Sequence, residues 1–294
     1  MLGELSGLGC AAVWAVVSSA MRAVSERVNL VLLNGVRCGF AAATLALLIL
    51  LLGHGGGLLT LPASAVAALI ASGVLGQASG DALFIRSMKL IGESRAMPIS
   101  SSYPLLTLGL AVLLLGERVS WSGLAGTILV LGGIYLLAFP RGMGSGQGRL
   151  SGSTDRAGVA FALAAACCWS VSIIVLRQGL VESDLLAANF VRLVTAAVML
   201  LGLEAFHSGG RIGSSLSRRS LAILCCTGAL NAFSSLMYVV AVYFAGAAKA
   251  AVLTSTSPLF GLPLSIVFLR ERVTLRVVGG TLLSVLGIWL VLWG

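Results

Sequence analysis

Residues 92–137 read GESRAMPISSSYPLLTLGLAVLLLGERVSWSGLAGTILVLGGIYLL, and residues 245–291 read AGAAKAAVLTSTSPLFGLPLSIVFLRERVTLRVVGGTLLSVLGIWLV. Pro104 matches Pro258, Glu117-Arg118-Val119 matches Glu271-Arg272-Val273, and Gly126-Thr127 matches Gly280-Thr281, each at a spacing of 154 residues. Upstream the spacing is 155, where Trp14 matches Trp169, Asn34 matches Asn189 and Arg37 matches Arg192. A spacing held over about half the chain marks an internal duplication, and in a membrane protein that architecture points to a transporter.

The solvent for this chain is lipid. It is 58% hydrophobic and only 10% charged, with a mean hydropathy of +1.05, whereas soluble domains carry roughly 25% charged residues. The N-terminal region carries Glu4 in place of a basic stretch, so no cleavable signal is expected. Cys10, Cys38, Cys167, Cys168, Cys225 and Cys226 lie inside apolar runs without CxxC spacing and read as small buried hydrophobes, with neither a disulfide framework nor a metal site. The net charge of +9 comes from basic residues scattered singly between apolar segments. That pattern fits membrane orientation and excludes a nucleic-acid partner. No cofactor is expected.

Each half divides into five apolar runs of about 20 residues, the length that crosses a bilayer as a helix. They lie near 5–24, 30–52, 64–87, 95–115 and 121–139, then near 157–177, 185–205, 220–243, 249–269 and 274–293. The expected fold is therefore an all-α integral membrane protein of ten transmembrane helices. Residues 1–140 form the first repeat, 141–156 a linker, and 157–294 the second repeat. Because five is odd, the second repeat enters the membrane in the opposite sense, giving an inverted pair about an axis in the membrane plane.

Lys and Arg orient it. Arg22, Arg27, Arg86, Lys89, Arg95, Arg141, Arg149, Arg156, Arg211, Arg218, Arg219, Arg270, Arg272 and Arg276 fall on one face, and only Arg118, Arg177 and Lys249 on the other. The positive-inside rule then puts the linker in the cytoplasm and both termini outside, in the cytoplasmic membrane.

Pro104, Leu115-Gly116-Glu117 and Gly126…Gly133-Ile134 together resemble the EamA repeat of the drug/metabolite transporter superfamily. The pattern recurs as Pro258, Leu269-Arg270-Glu271 and Gly280…Gly287-Ile288, with Arg270 standing where the repeat usually carries Gly. The resemblance covers nearly the whole chain. It implies a ten-helix carrier moving small metabolites or drugs by alternating access. The superfamily handles amino acids, nucleotide-related compounds, sugars and cationic drugs, so membership does not choose a substrate.

Polar side chains inside the apolar runs are costly and face the protein interior. Asp81 is the one acid well inside a span, and Gln77 lies one turn earlier on the same face. The matching pair in the second repeat is Asn231 and Ser235, and Phe84 matches Tyr238. Asn34 and Arg37, like Asn189 and Arg192, share a helix face. The depths of Arg37 and Asp81 agree, so an ion pair between them is one reading and proton coupling through Asp81 another. Ser235 stands where Asp81 would be in the second repeat. Arg192 thus lacks the same partner and is read either as anion-attracting or as snorkelling to the interface.

Ser100-Ser101-Ser102-Tyr103-Pro104 and Thr254-Ser255-Thr256-Ser257-Pro258 open the fourth and ninth spans. Pro frees a backbone carbonyl, and the hydroxyls either satisfy the kink or offer themselves to a substrate. Ser101, Tyr103, Thr254 and Thr256 join the candidate substrate-binding set on that ground, and Trp14 and Trp169 join it as apolar walls. The glycines at 126, 133, 280 and 287 read as close-packing ridges. Glu117 and Glu271 read as surface ion pairs with Arg118 and Arg272, or as a gate.

The expected activity is secondary transport of a small molecule, with export as the direction and a proton as candidate coupling ion, by a monomer or homodimer. A channel or uncoupled facilitator is the alternative. An intramembrane enzyme is the remote one, since His54 and His207 lie in or beside loops without an acidic or Cys/His cluster. No GxxxxGK[ST] motif is present to drive transport with ATP.

Overall fold

A computed structural model describes residues 1–25, 29–91, 96, 99–138, 153–181, 183–208, 218–261 and 275–293. Most of the linker, Arg27, Arg95, the Arg270-Glu271-Arg272 motif and the later part of the ninth predicted span lie outside them. All regular structure among the described residues is helical.

The helices are α1 (Leu2–Ser25), α2 (Leu30–Leu51), α3 (Gly55–Leu59), α4 (Ala63–Gly73), α5 (Asp81–Ile91), α6 (Tyr103–Leu115), α7 (Trp121–Ala138), α8 (Ser153–Gly179), α9 (Leu185–Ser208), α10 (Arg218–Ala245), α11 (Ala247–Thr254) and α12 (Leu275–Trp293). Among the described residues, five stretches are long and apolar enough to cross a membrane: Val31–Leu51, Ala63–Ile91, Arg156–Gly179, Leu185–His207 and Arg218–Ala245. Shorter apolar helices cover Leu2–Val17, Tyr103–Leu115, Trp121–Leu137 and Val278–Trp293.

Local chemistry sets the ends. The Asn29 side chain caps α2 by accepting from the Val31 N–H at 3.1 Å, and Asp184 does the same for α9 through Ala187 N at 2.9 Å. Gly116 ends α6 with φ of +65°, and Glu117 N–H then reaches back to the Ala111 carbonyl at 3.1 Å.

Packing is symmetric under exchange of the halves. α1 lies on α10 as α5 lies on α8, while α2, α6 and α7 each pack on their own counterparts α9, α11 and α12. The α7–α12 crossing shows why the glycine ridges are there. A Cβ on Gly126 would come within 2.6 Å of the Gly287 carbonyl oxygen, and one on Gly287 within 2.6 Å of the Gly126 oxygen. Gly133 and Gly280 are related in the same way, at 2.5 and 2.9 Å.

Both proline motifs make the same break. Ser102 N–H and Oγ reach the Ile99 carbonyl, and 154 residues later Thr256 N–H and Oγ1 reach Leu253. Leu105 N–H to Ser102 and Leu259 N–H to Thr256 restart the helix.

Side-chain contacts tie the connections of the two halves together. His54 Nδ1 lies 3.0 Å from Asp184 Oδ2, joining the connection after α2 to the start of α9. Asn29 donates to Glu204 at 2.7 Å, joining the start of α2 to the last part of α9. Two of the cysteines, Cys10 and Cys38, are buried as expected, but Cys167, Cys225 and Cys226 face outward. Outward for these spans is toward lipid, so a small apolar thiol there is not costly.

Candidate functional site

The polar side chains converge where the two halves meet. The approach to Asp81 is unusual: Val74–Gly80 is wound as a π-helix, linking α4 to α5. Such segments are rare and often occur at functional sites. A Cβ on Gly80 would stand 2.6 Å from Trp169 Nε1, so the glycine lets the indole of α8 close in. Trp169 Nε1 then donates to Asp81 Oδ1 at 3.1 Å.

Asn34 is the hub of the first repeat. Its Nδ2 donates to Asp81 Oδ2 at 3.2 Å and to the Gln77 carbonyl at 3.3 Å. Its Oδ1 accepts from Arg37 Nη2. Arg37 and Asp81 are therefore joined through an amide and make no direct ion pair. The other terminal nitrogen of Arg37, Nη1, donates to Asn231 Oδ1 of α10 at 2.7 Å, and the guanidinium lies over the Trp14 ring, 4.8 Å from its centroid.

The second repeat repeats part of this. Asn189 Nδ2 donates to Ser235 Oγ at 2.9 Å, the counterpart of Asn34 to Asp81. Arg192 departs from the symmetry. Its Nε donates to Ser72 Oγ at 3.1 Å, and its guanidinium lies over the Tyr238 ring at 5.3 Å. Ser72 is held by Ser172, with Ser72 Oγ donating to the Ser172 carbonyl at 3.0 Å and Ser172 Oγ to the Ser72 carbonyl at 2.8 Å. Arg192 is only 2% exposed, so in the structure it is buried and does not snorkel.

Aromatic rings surround Asp81 and Arg192. The Trp169 ring packs tilted against Phe84, 5.4 Å between centroids, and edge-on against Tyr103 at 5.8 Å. Tyr103 Oη donates to the Ala251 carbonyl at 3.1 Å and lies 3.4 Å from Thr254 Oγ1. Thr254 Oγ1 itself donates to the Ala250 carbonyl at 2.7 Å. Thr256 is fully buried and its hydroxyl is spent on Leu253 at 2.6 Å, while Ser101 sits half-buried in the first helix break.

Five buried polar atoms of this cluster have no partner among the described residues: Arg37 Nε, Arg192 Nη1, Asn231 Nδ2, Gln77 Oε1 and Asn189 Oδ1. A stranded buried donor or acceptor costs about 1–3 kcal/mol. Sequence reasoning did not single out Ser72 and Ser172, and placed Asn34 and Asn189 on the right faces without a role. Ser72 and Ser172 carried the available signal, as hydroxyls in the middle of apolar runs. Nothing in the sequence signalled the π-helix.

A second feature lies at the end of the molecule where α6, α8 and α10 finish and α11 begins. Glu117 caps α11: Oε1 accepts from Ala247 N–H at 2.7 Å and Oε2 from Ala248 N–H at 3.1 Å. Gly246, with φ of +85°, leaves room, since a Cβ there would be 3.0 Å from Glu117 Oε1. Glu117 thus makes a helix cap in place of the surface ion pair with Arg118. Beside it is a cavity of about 280 Å³ whose lining includes Arg118, Arg177 and Lys249, the three cations that the sequence pattern sets apart from the rest.

Comparison with known proteins agrees with this architecture. The profile of the EamA-like transporter family matches residues 1–139 and 156–293. A protein of Archaeoglobus fulgidus named "Uncharacterized transporter" is 28% identical over 224 residues, covering 76% of this chain and 75% of that one. A solved structure titled "Crystal structure of protein" has the same fold, with a TM-score of 0.74 at 19% identity, covering 98% of this chain and 94% of that one. The two matched segments correspond to the two halves of the duplication, and the chain belongs to the EamA-like transporter family, a family of membrane transporters.

Proposed function

We propose that this protein is a secondary transporter that exports a small molecule across the cytoplasmic membrane by alternating access. Its ten spans form two inverted five-helix repeats, with both termini outside. The reciprocal glycine contacts between α7 and α12 and the exchange-symmetric packing support the inverted pair. The gathering of Arg118, Arg177 and Lys249 around one cavity supports a single sparsely charged outer face.

The observation that carries the reading is the polar cluster between the halves. It draws on both repeats through α2, the π-segment, α8, α9 and α10, and it holds unpartnered donors and acceptors. Trp14, Gln77, Asp81, Phe84, Tyr103, Trp169, Arg192, Asn231, Ser235 and Tyr238 form the proposed substrate site. Thr254, Ser101 and Thr256 are assigned to its margin at the helix breaks.

Uncoupled facilitation is the second reading, and one observation favours it over proton coupling. Both Asp81 oxygens already accept hydrogen bonds, from Trp169 and Asn34.

Counterflow in liposomes reconstituted with the full chain tests transport itself. Saturable exchange of preloaded for external solute is the result expected of a carrier. Non-saturating flux that shows no exchange is the result expected of a channel.

A further inference from the structure

The charges at the join of the two halves do not balance. Arg37 and Arg192 are 3% and 2% exposed, and Asp81 is the acid of the cluster. Trp169, which holds Asp81, and Ser172, which holds the Ser72 partner of Arg192, stand one turn apart on α8, so the three charges belong to one neighbourhood. Asp81 is engaged by Asn34 and Trp169, and Asn34 passes it on to Arg37. Arg192 has only a serine hydroxyl and the face of Tyr238, with Nη1 unpartnered. A guanidinium buried in a membrane protein without a counter-ion is costly and marks a ligand pathway.

Resting on the transport reading above, we propose that the substrate is a small monocarboxylate that carries a hydroxyl on an apolar body. One negative charge completes the group of two arginines and one aspartate. A carboxylate matches planar guanidinium donors; the unpartnered Arg192 Nη1 and Arg37 Nε are such donors, and the amide Nδ2 of Asn231 is a further free one. Gln77 Oε1 and Asn189 Oδ1 are acceptors without donors, and the single O–H of a substrate hydroxyl satisfies one of them. The apolar body meets the rings of Phe84, Trp169 and Tyr238. A cation would add a second uncompensated positive charge to the group, and a dianion would overshoot it.

The test uses purified full-length protein in liposomes. They are loaded with 2-hydroxy-3-phenylpropanoate, phenylalanine and 2-phenylethylamine, which share one body and differ in charge, together with their leucine-like counterparts. Loss after dilution is read by mass spectrometry against protein-free liposomes. The expected result is protein-dependent loss of the hydroxy acids at least tenfold faster than of the amino acids or amines. Arg192→Gln is expected to slow that loss at least tenfold and Arg192→Lys to retain part of it. Should Arg192→Gln fail to fold, the Lys variant and the wild-type charge series decide the matter.

Faster loss of an amine or amino acid, or hydroxy-acid loss unaffected at position 192, overturns the proposal. A parallel arm loads an extract of small metabolites. Protein-dependent loss of only neutral or cationic compounds from it sinks the monocarboxylate while leaving transport in place. Loss of nothing in either arm overturns both.

Discussion

Trp169 of the second repeat donates its indole hydrogen to Asp81 of the first at 3.1 Å. The acid is thereby anchored across the join between the halves, and its second oxygen is held from within its own repeat by Asn34. Asp81→Asn offers one acceptor where two donors converge, so one N–H is stranded. We expect the variant to lose about 1–3 kcal/mol of stability, read as a lower unfolding temperature in detergent. Transport is expected to be equally insensitive to an imposed pH gradient in wild type and variant. A gradient response that disappears in Asp81→Asn would sink uncoupled facilitation.

Adjacent glycines on α7 should respond in opposite ways to alanine. A Cβ at Gly132 meets nothing within 4 Å, whereas one at Gly133 runs into the Gly280 carbonyl at 2.5 Å. Gly132→Ala is expected to be neutral or stabilising by up to about 1 kcal/mol through helix propensity. Gly133→Ala is expected to destabilise by about 1–3 kcal/mol through overpacking. Thermal unfolding of the two side by side checks this.

Glu117→Ala removes a carboxylate from two N–H groups at the start of α11. Loss of such a cap costs about 0.5–2 kcal/mol. Glu117→Gln keeps one acceptor oxygen and is expected to fall between wild type and Ala. If Ala and wild type unfolded at the same temperature, the cap would contribute nothing to stability.

Orientation is open to chemical labelling. In a background without the native cysteines, Arg118→Cys and Lys249→Cys are expected to react with a membrane-impermeant thiol reagent added outside intact cells. Arg86→Cys is expected to react only after the cells are opened. The reverse pattern would put the termini in the cytoplasm.

The five long spans are the most legible part of the sequence, because lipid imposes length and apolarity on each of them. The helix described at 30–51 starts at the predicted residue and ends one short of it. The faces of Asn34, Arg37, Asn189 and Arg192 were equally readable, since they follow from spacing alone. What escaped was partner choice. Equal depth brought Arg37 near Asp81, but whether they touched depended on where the Asn34 amide lay, and no spacing rule gives a side-chain rotamer. Adjacency in sequence pairs Glu117 with Arg118, yet its partners are backbone N–H groups 130 and 131 residues away. Those groups exist only once α11 begins beside it.

The four glycines of the α7–α12 crossing form a closed circuit. Gly126 touches Gly287, the copy of Gly133; Gly133 touches Gly280, the copy of Gly126. Copy and contact alternate until the circuit returns to its start. A side chain gained at any one position lands on the backbone of the other repeat. The duplicated halves are therefore free to diverge at the polar cluster, as Asp81 and Ser235 have, but are bound to keep this seam in common.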